Sequence, residues 1–471
     1  MGVATTEQFG FWPYYWVLTR DLLMMAAVGV AVFGLDELFV DLTYIVGSLR
    51  RRFGAYRRYS RWTEDDVPRR EPAGRFAIFV PAWDEGDVIG PMLTRLTRTL
   101  DHACYDVFVG VYANDPATIA AIRPINDERV HVTVNPRPGP TTKADCLNHI
   151  WQEMLRHEEK GGFRYKGVVL HDAEDVVHPS ELRIFDHLMP RIAMVQLPVI
   201  PLPDADSRWV SGHYLDEFSE HHGKTLIVRE MLGAAIPSAG VACAFGRQEL
   251  GALAELRQQM PFDAESLTED YEIGLRISRG GRGAFVRLPE RNGRGAVATR
   301  EHFPASFDAA VRQKTRWLTG IVFQGWQRLG WAGGLADRYM MLRDRKPPVN
   351  AVIILLAYAA SIMAAISVVA RWVDADAARL PTLVRGGSLL WYLMLFCTAS
   401  VLWRLAMRAW FTARVYGLVE GALSIPRAVI ANIFSILAAR RALGVYLTLI
   451  VRGERLRWDK TVHKFPAAAD D

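Results

Sequence analysis

Gly167-Val168-Val169-Leu170-His171-Asp172-Ala173-Glu174-Asp175 is the stretch that decides the fold. Four residues of a short, β-prone apolar run are followed at once by three carboxylates within four positions. A buried strand that ends in acids fits an open α/β sheet, where ligands bind outside the carboxyl ends of the strands. Asp172 and Glu174, one residue apart, can face one hard cation together. The same residues also suit a solvated acidic turn before a helix, with Asp175 or Ser180 as the cap. The neighbouring sequence bears on both readings.

Upstream, Phe76-Ala77-Ile78-Phe79-Val80 reads as a buried strand ending at Pro81, and residues 86–102 as a helix. Tyr105 to Tyr112 and Val130 to Val134 read as two further strands, residues 142–158 as a helix, and Tyr165 to Leu170 as a fourth strand. Strands alternating with helices predict a mostly parallel sheet covered on both faces. Downstream, Met194 to Leu197, Ala239 to Phe245 and Ala284 to Leu288 read as extended, and residues 205–232 as helical.

The texture outside this region is apolar. Leu22 to Leu35 carries no charge over 14 residues, and Tyr14 to Leu18 extends it to spanning length across Arg20 and Asp21. Six of the twelve residues from Arg50 to Arg61 are arginine. Beside an apolar segment, that cluster fits the positive-inside rule better than nucleic-acid binding. Ala351 to Ala370 gives 20 uncharged residues and Gly386 to Trp403 gives 18, two strong spans. Residues 427–450 carry Arg427 at the start and Arg440-Arg441 in the middle, around only 12 uncharged residues, and read as interfacial.

The chain thus divides into an N-terminal membrane helix (1–48), a basic linker (49–73), an α/β domain (74–300), interfacial helices (301–347), two transmembrane helices (348–410) and an amphipathic or interfacial helix with a tail (411–471). The spans carry no central charged pair or broken helix, which argues against a transporter. The net charge is +5, and the four cysteines form no CxxC pair, which argues against a zinc ribbon or disulfide scaffold.

Five more stretches carry candidate chemistry. Val80-Pro81-Ala82-Trp83-Asp84-Glu85 and Asn114-Asp115 end strands with carboxylates, which can bind a base or ribose or cap a helix. Lys143, in the first turn after Pro138-Gly139-Pro140-Thr141-Thr142, makes an anion site, or is a surface lysine after a turn. Ser266 and Glu269 have the spacing of a capping box. Asp270 would then stay ionised at a helix N-terminus, as a general base must. Gln313 and Arg316 share a helix face beside Trp317, suited to clamp a phosphate and stack a sugar, or to anchor a membrane-surface helix.

In this order the motifs resemble family-2 glycosyltransferases with a GT-A fold, including the membrane-embedded cellulose and hyaluronan synthases. The match rests on Val80 to Glu85, Asn114-Asp115, Lys143-Ala144-Asp145, Asp172-Ala173-Glu174, Thr268-Glu269-Asp270 and Gln313-x-x-Arg316-Trp317. Pro138 to Asn148, His171 to Pro179 and Trp458-Asp459-Lys460-Thr461-Val462-His463 are similar to the phage-adsorption protein B family of inner-membrane glycosyltransferases.

The resemblance implies a Rossmann-like cytoplasmic GT-A domain with transmembrane and interfacial helices, in a bacterial inner membrane. It implies transfer from a UDP-sugar to a glycan or lipid acceptor, with inversion, for cell-surface or exopolysaccharide synthesis. Glu85 and Asp115 would hold the uridine, Lys143 would approach the diphosphate, and Pro81 and Asp145 would also bind substrate. Asp172 and Glu174, with Asp175 able to share, would bind Mg²⁺ or Mn²⁺. Asp270, beside Glu269, would be the base, and Gln313, Arg316 and Trp317 would cover donor and acceptor. Membrane lipids and an outer-membrane export component are the implied partners, with no nucleic acid. A catalytically inactive membrane scaffold of an export system is the rival reading. Glu174 stands where this family's second metal carboxylate is Asp.

Overall fold

The computed structural model describes residues 10–291, 295–452 and 464–466. The Trp458 to His463 stretch lies outside the described residues. Among the described residues nine strands form: β1 (Phe76–Pro81), β2 (Tyr105–Tyr112), β3 (Val130–Asn135), β4 (Gly167–Leu170), β5 (Met194–Gln196), β6 (Val199–Pro201), β7 (Cys243–Gly246), β8 (Gly283–Phe285) and β9 (Thr299–Glu301). Seven make one sheet in the order β3-β2-β1-β4-β7-β5-β8. The β1, β2, β3 and β4 pairings are parallel, while β7 runs antiparallel to both neighbours. Chain order reverses at β1, which has β2 on one side and β4 on the other, and the crevice for a ligand opens there.

The alternation of side chains explains why β1 is apolar at every position and β2 is apolar from Val107 to Val111. Ile78, Val80, Val107 and Val109 pack on one face, Ala77, Phe79 and Phe108 on the other, and all are buried. The second face is covered by the helix Lys143–Gly161, through Leu147, Ile150, Trp151 and Met154. Thr142 caps that helix by accepting the Asp145 N–H, and Gly162 ends it at φ +65°. A second, two-stranded sheet pairs β6 with β9.

Four helices among the described residues are long and apolar enough to cross a membrane. They are Phe11–Arg50, Pro347–Val373, Leu389–Tyr416 and Leu418–Arg452. Each packs on two others, so they close into a ring. Small buried residues, Ala26, Ala27, Ala31, Ala360 and Cys397, let the first three approach closely. Large apolar side chains such as Val32, Ile362 and Val369 face outward.

The last helix differs from the interfacial segment expected over 427–450: it runs unbroken for 35 residues. Arg427 does not limit it, because its guanidinium is buried against Asp216 at 2.8 Å and Glu420 at 2.6 Å. Further ion pairs fix the bundle to the α/β domain and to the end of the helix Leu335–Arg345. Lys224 bonds Asp41, Arg404 bonds Glu220, and Arg343 and Lys346 bond the Asp36-Glu37 pair.

Candidate active site

A cavity of about 630 Å³ opens at the carboxyl ends of β1 and β4 and reaches the ring of apolar helices. Pro81, Glu85, Lys143, Asp172, Glu174, Glu269, Asp270, Gln313, Arg316 and Trp317 all line it. These residues span more than 230 positions of sequence, and five separate elements bring them to one space. Beyond them the lining continues through Glu301, Phe303 and Lys314 to Glu37, Pro347, Arg404, Arg408, Ser435 and Ala438.

The loop after β1 is held from the start of the helix that follows β2. Asp115 Oδ2 accepts the Asp84 N–H at 2.6 Å, and Thr118 Oγ1 accepts the Glu85 N–H at 2.8 Å. Asp84 adopts φ +57° to make this turn. Asn114 clamps the loop before the Lys143 helix by two hydrogen bonds with the Gly139 backbone, each 2.8 Å.

Lys143 Nζ donates to Asp172 Oδ1. Burial opposes the charge on Lys143, but the carboxylates of Asp172, Glu269 and Asp270 outweigh it and hold the ammonium above the usual lysine value. Asp270 sits in the first turn of the helix Glu269–Ser278, and its Oδ1 accepts the Tyr271 N–H at 2.7 Å. Burial pushes the Glu269 carboxyl up to about 7, with Asp270 adding to the effect and Lys143 opposing it. Asp270 is raised too, by burial first. The helix terminus favours the ionised form of Asp270, and desolvation opposes it.

The opposite wall comes from the helix Phe307–Leu318, capped by Ser306. Its Lys314 pairs with Glu217, and Trp317 packs among Tyr214, Phe218 and Phe303. Gln324 Oε1 accepts the Leu267 N–H at 3.0 Å, which ties this region to the loop before Asp270.

Three of the sequence-derived candidates do not line the cavity. Asp115 caps the helix Pro116–Ile122 through the Thr118 N–H. Asp145 binds Arg137 and Asn135. Asp175 is buried, and its Oδ2 accepts from the Asp172 N–H at 3.0 Å and meets His171 Nδ1 at 2.8 Å. Of Glu174 and Asp175, it is Glu174 that faces the cavity. The Ser266–Glu269 capping box does not form either, because the helix starts at Glu269, with Thr268 as its N-cap.

His171 Nε2 reaches Glu181 at 2.7 Å, so the imidazole bridges two buried carboxylates just before Asp172. Burial disfavours its charge, but Glu181 and Asp175 outweigh that and raise it to about 10. Gly240 is a residue that sequence reasoning missed. It holds φ +82°, and a Cβ there would lie 2.4 Å from Asp270 Oδ2. Only a glycine lets the 237–240 turn approach that carboxylate so closely. Glu301 was missed as well. Burial raises its carboxyl, and Asp175, Glu174 and Asp172 add to this.

A separate cluster of Asp106, His131 and His157 could also gather round an ion. Asp106 and His131 are the second residues of β2 and β3, so the cluster stands at the amino-terminal ends of the strands, away from the cavity. Asp106 already accepts from Arg75 at 2.6 Å and Tyr165 at 2.7 Å. It is not part of the cavity.

Residues 72–320 match the family model described as glycosyltransferase like family 2. The chain belongs to this family. It is 38% identical over 487 residues to bacteriophage adsorption protein B of Escherichia coli strain K12 and to bacteriophage N4 adsorption protein B of Escherichia coli O157:H7. Each match takes in 99% of this chain, which spans 64% of the length of either relative. A mannosyltransferase from Pyrobaculum calidifontis, solved with GDP-Man and Mn²⁺, superposes with a TM-score of 0.50 at 16% identity. That match covers 86% of this chain and 99% of the other, and shows a shared fold. The mostly parallel sheet with appended apolar helices is thus the GT-A arrangement expected from the sequence.

Proposed function

We propose that this chain is an inverting glycosyltransferase of a bacterial inner membrane. In this reading it transfers a sugar from a UDP-sugar to a glycan or lipid acceptor in cell-surface or exopolysaccharide synthesis. The observation that carries the reading is one cavity lined by Lys143, Asp172, Glu174 and Asp270 on one wall and by Gln313, Arg316 and Trp317 on the other. The arginines from Arg50 to Arg61, after the first apolar helix, support a cytoplasmic location for the α/β domain.

The donor's diphosphate would lie beside Lys143, with Glu85 near the base at the β1 edge. Asp172 and Glu174 offer oxygen ligands of the kind Mg²⁺ and Mn²⁺ prefer, and fit such an ion. Bound there, the ion would supply charge neutralisation for the diphosphate. Arg316 adds a fixed positive charge on the other wall, and Trp317 gives a flat apolar platform for a sugar ring. Asp270 accepts the proton of the acceptor hydroxyl. That oxygen attacks the anomeric carbon opposite the departing nucleotide, so a single displacement inverts the centre. The extension of the cavity to Glu37, Arg404 and Ser435 supports an acceptor that arrives from the side of the membrane helices.

The test is incubation of the purified full-length chain with a panel of UDP- and GDP-sugars and Mg²⁺ or Mn²⁺. Sugar transfer with release of the nucleoside diphosphate is the expected result. Donor binding without turnover across the panel would instead support the inactive-scaffold reading.

A further inference from the structure

We propose that Glu301 is a third carboxylate ligand of the divalent cation that Asp172 and Glu174 would hold, an inference that rests on the donor-site reading above. The backbone sets this up. Val176 and Arg300 form an antiparallel bridge, with hydrogen bonds of 2.8 Å and 3.1 Å in the two directions. In that register Glu301 stands opposite Asp175, next to Glu174.

Alternation along β9 aims the side chain. Thr299 turns its hydroxyl toward Glu181 at 3.3 Å, on the side of His171, and Arg300 turns the other way to Glu290 at 3.2 Å. Glu301 shares the side of Thr299, and it lines the cavity together with Asp172 and Glu174. The other end of the strand is fixed by the Leu202 N–H, which donates to the Glu301 carbonyl at 2.8 Å.

Charge then decides the role. Among the described residues, the Glu301 carboxylate forms no ion pair. The ammonium of Lys143 is already bonded to Asp172. The adjacent Asp175 is fully buried, and its Oδ1 has no hydrogen-bond partner among the described residues. Carboxylates gathered in a desolvated space repel one another unless a cation joins them. A divalent ion bound by Asp172, Glu174 and Glu301 would relieve that repulsion and still leave coordination positions for phosphate oxygens. The bridging His171 would act as a spacer, holding Asp175 and Glu181 so that the loop and β9 keep this distance.

Binding of Mn²⁺ to the full-length detergent-solubilised protein, with and without UDP, tests this by electron paramagnetic resonance or calorimetry. Glu301→Gln should raise the Mn²⁺ dissociation constant on the order of 10-fold or more, with Glu301→Asp recovering part of the loss. A thermal unfolding curve for each variant separates misfolding from ligand loss, and the Asp variant carries the test if the Gln variant does not fold. Asp172→Asn should weaken Mn²⁺ binding at least as much. Unchanged Mn²⁺ affinity in Glu301→Gln, with loss in Asp172→Asn, would overturn the role of Glu301 and leave the donor site standing. Unchanged affinity in both would overturn the donor-site reading itself.

Discussion

Replacing Gly240 with alanine would push a methyl group onto the carboxylate proposed as the general base. The new Cβ would lie 2.4 Å from Asp270 Oδ2 and 3.3 Å from its Cγ, where ordinary contact begins near 3.4 Å. Asp270 must therefore retreat by about 1 Å, since the turn and helix around it are packed. A misplacement of about 1 Å can cost on the order of 100-fold in rate, or ~2.7 kcal/mol of barrier. The left-handed φ of +82° adds ~1–2 kcal/mol of strain to the fold. Gly233→Ala is the control: it has φ +73° but nothing within 4 Å of the added Cβ. It should lose similar stability and keep its turnover. The assay is the initial rate of nucleoside diphosphate release, with donor affinity and unfolding midpoint measured in parallel. Gly240→Ala should lower kcat about 100-fold with donor affinity retained. Wild-type kcat in Gly240→Ala, or equal rate loss in Gly233→Ala, would refute the reasoning.

The remaining predictions rest on charge. Burial and Asp270 raise Glu269 to about 7, and Asp270 is raised with it. Below that pH the pair holds a proton that a base must lose, so kcat should rise with pH through about 7. Lys143 opposes both shifts, so Lys143→Met should move this acidic limb to higher pH in the kcat profile; a limb that stays or moves down counts against the coupling. Arg427→Met should cost ~3–5 kcal/mol of stability, read from denaturant midpoints, because Asp216 is left buried without its partner. A loss below ~1 kcal/mol would mean that Asp216 finds another.

The sheet was legible where burial is two-sided. β1 reads as an unbroken apolar run, and so does β2 after Asp106, because both faces are covered. β7 begins at Cys243, later than Ala239, because the Ala239 N–H is taken by Gln196 Oε1 and Gly240 turns left-handed. That partner lies 43 residues away and leaves no local signal. The same limit applies to the site. Asp115, Asp145, Asp172, Asp175 and Asp270 are one residue type at strand or helix ends, and capping, loop clamping and metal binding all use it. Only the fold separates the oxygens that face the cavity from those spent on Thr118, Arg137 and His171. Glu301 and Gly240 belong to no motif by spacing, since their neighbours come from distant strands and helices. The last apolar helix was hidden for a related reason: the partner of Arg427 is Asp216, 211 positions earlier.

The most direct measurement of the central claim compares wild type with Asp270→Asn in the full-length protein, using labelled nucleotide-sugars and Mg²⁺ or Mn²⁺. Wild type should release the nucleoside diphosphate and transfer the sugar with inverted anomeric configuration. Asp270→Asn should bind the same donor with similar affinity and release essentially none. Transfer at the wild-type rate by Asp270→Asn, or a product of retained configuration, would contradict the assignment.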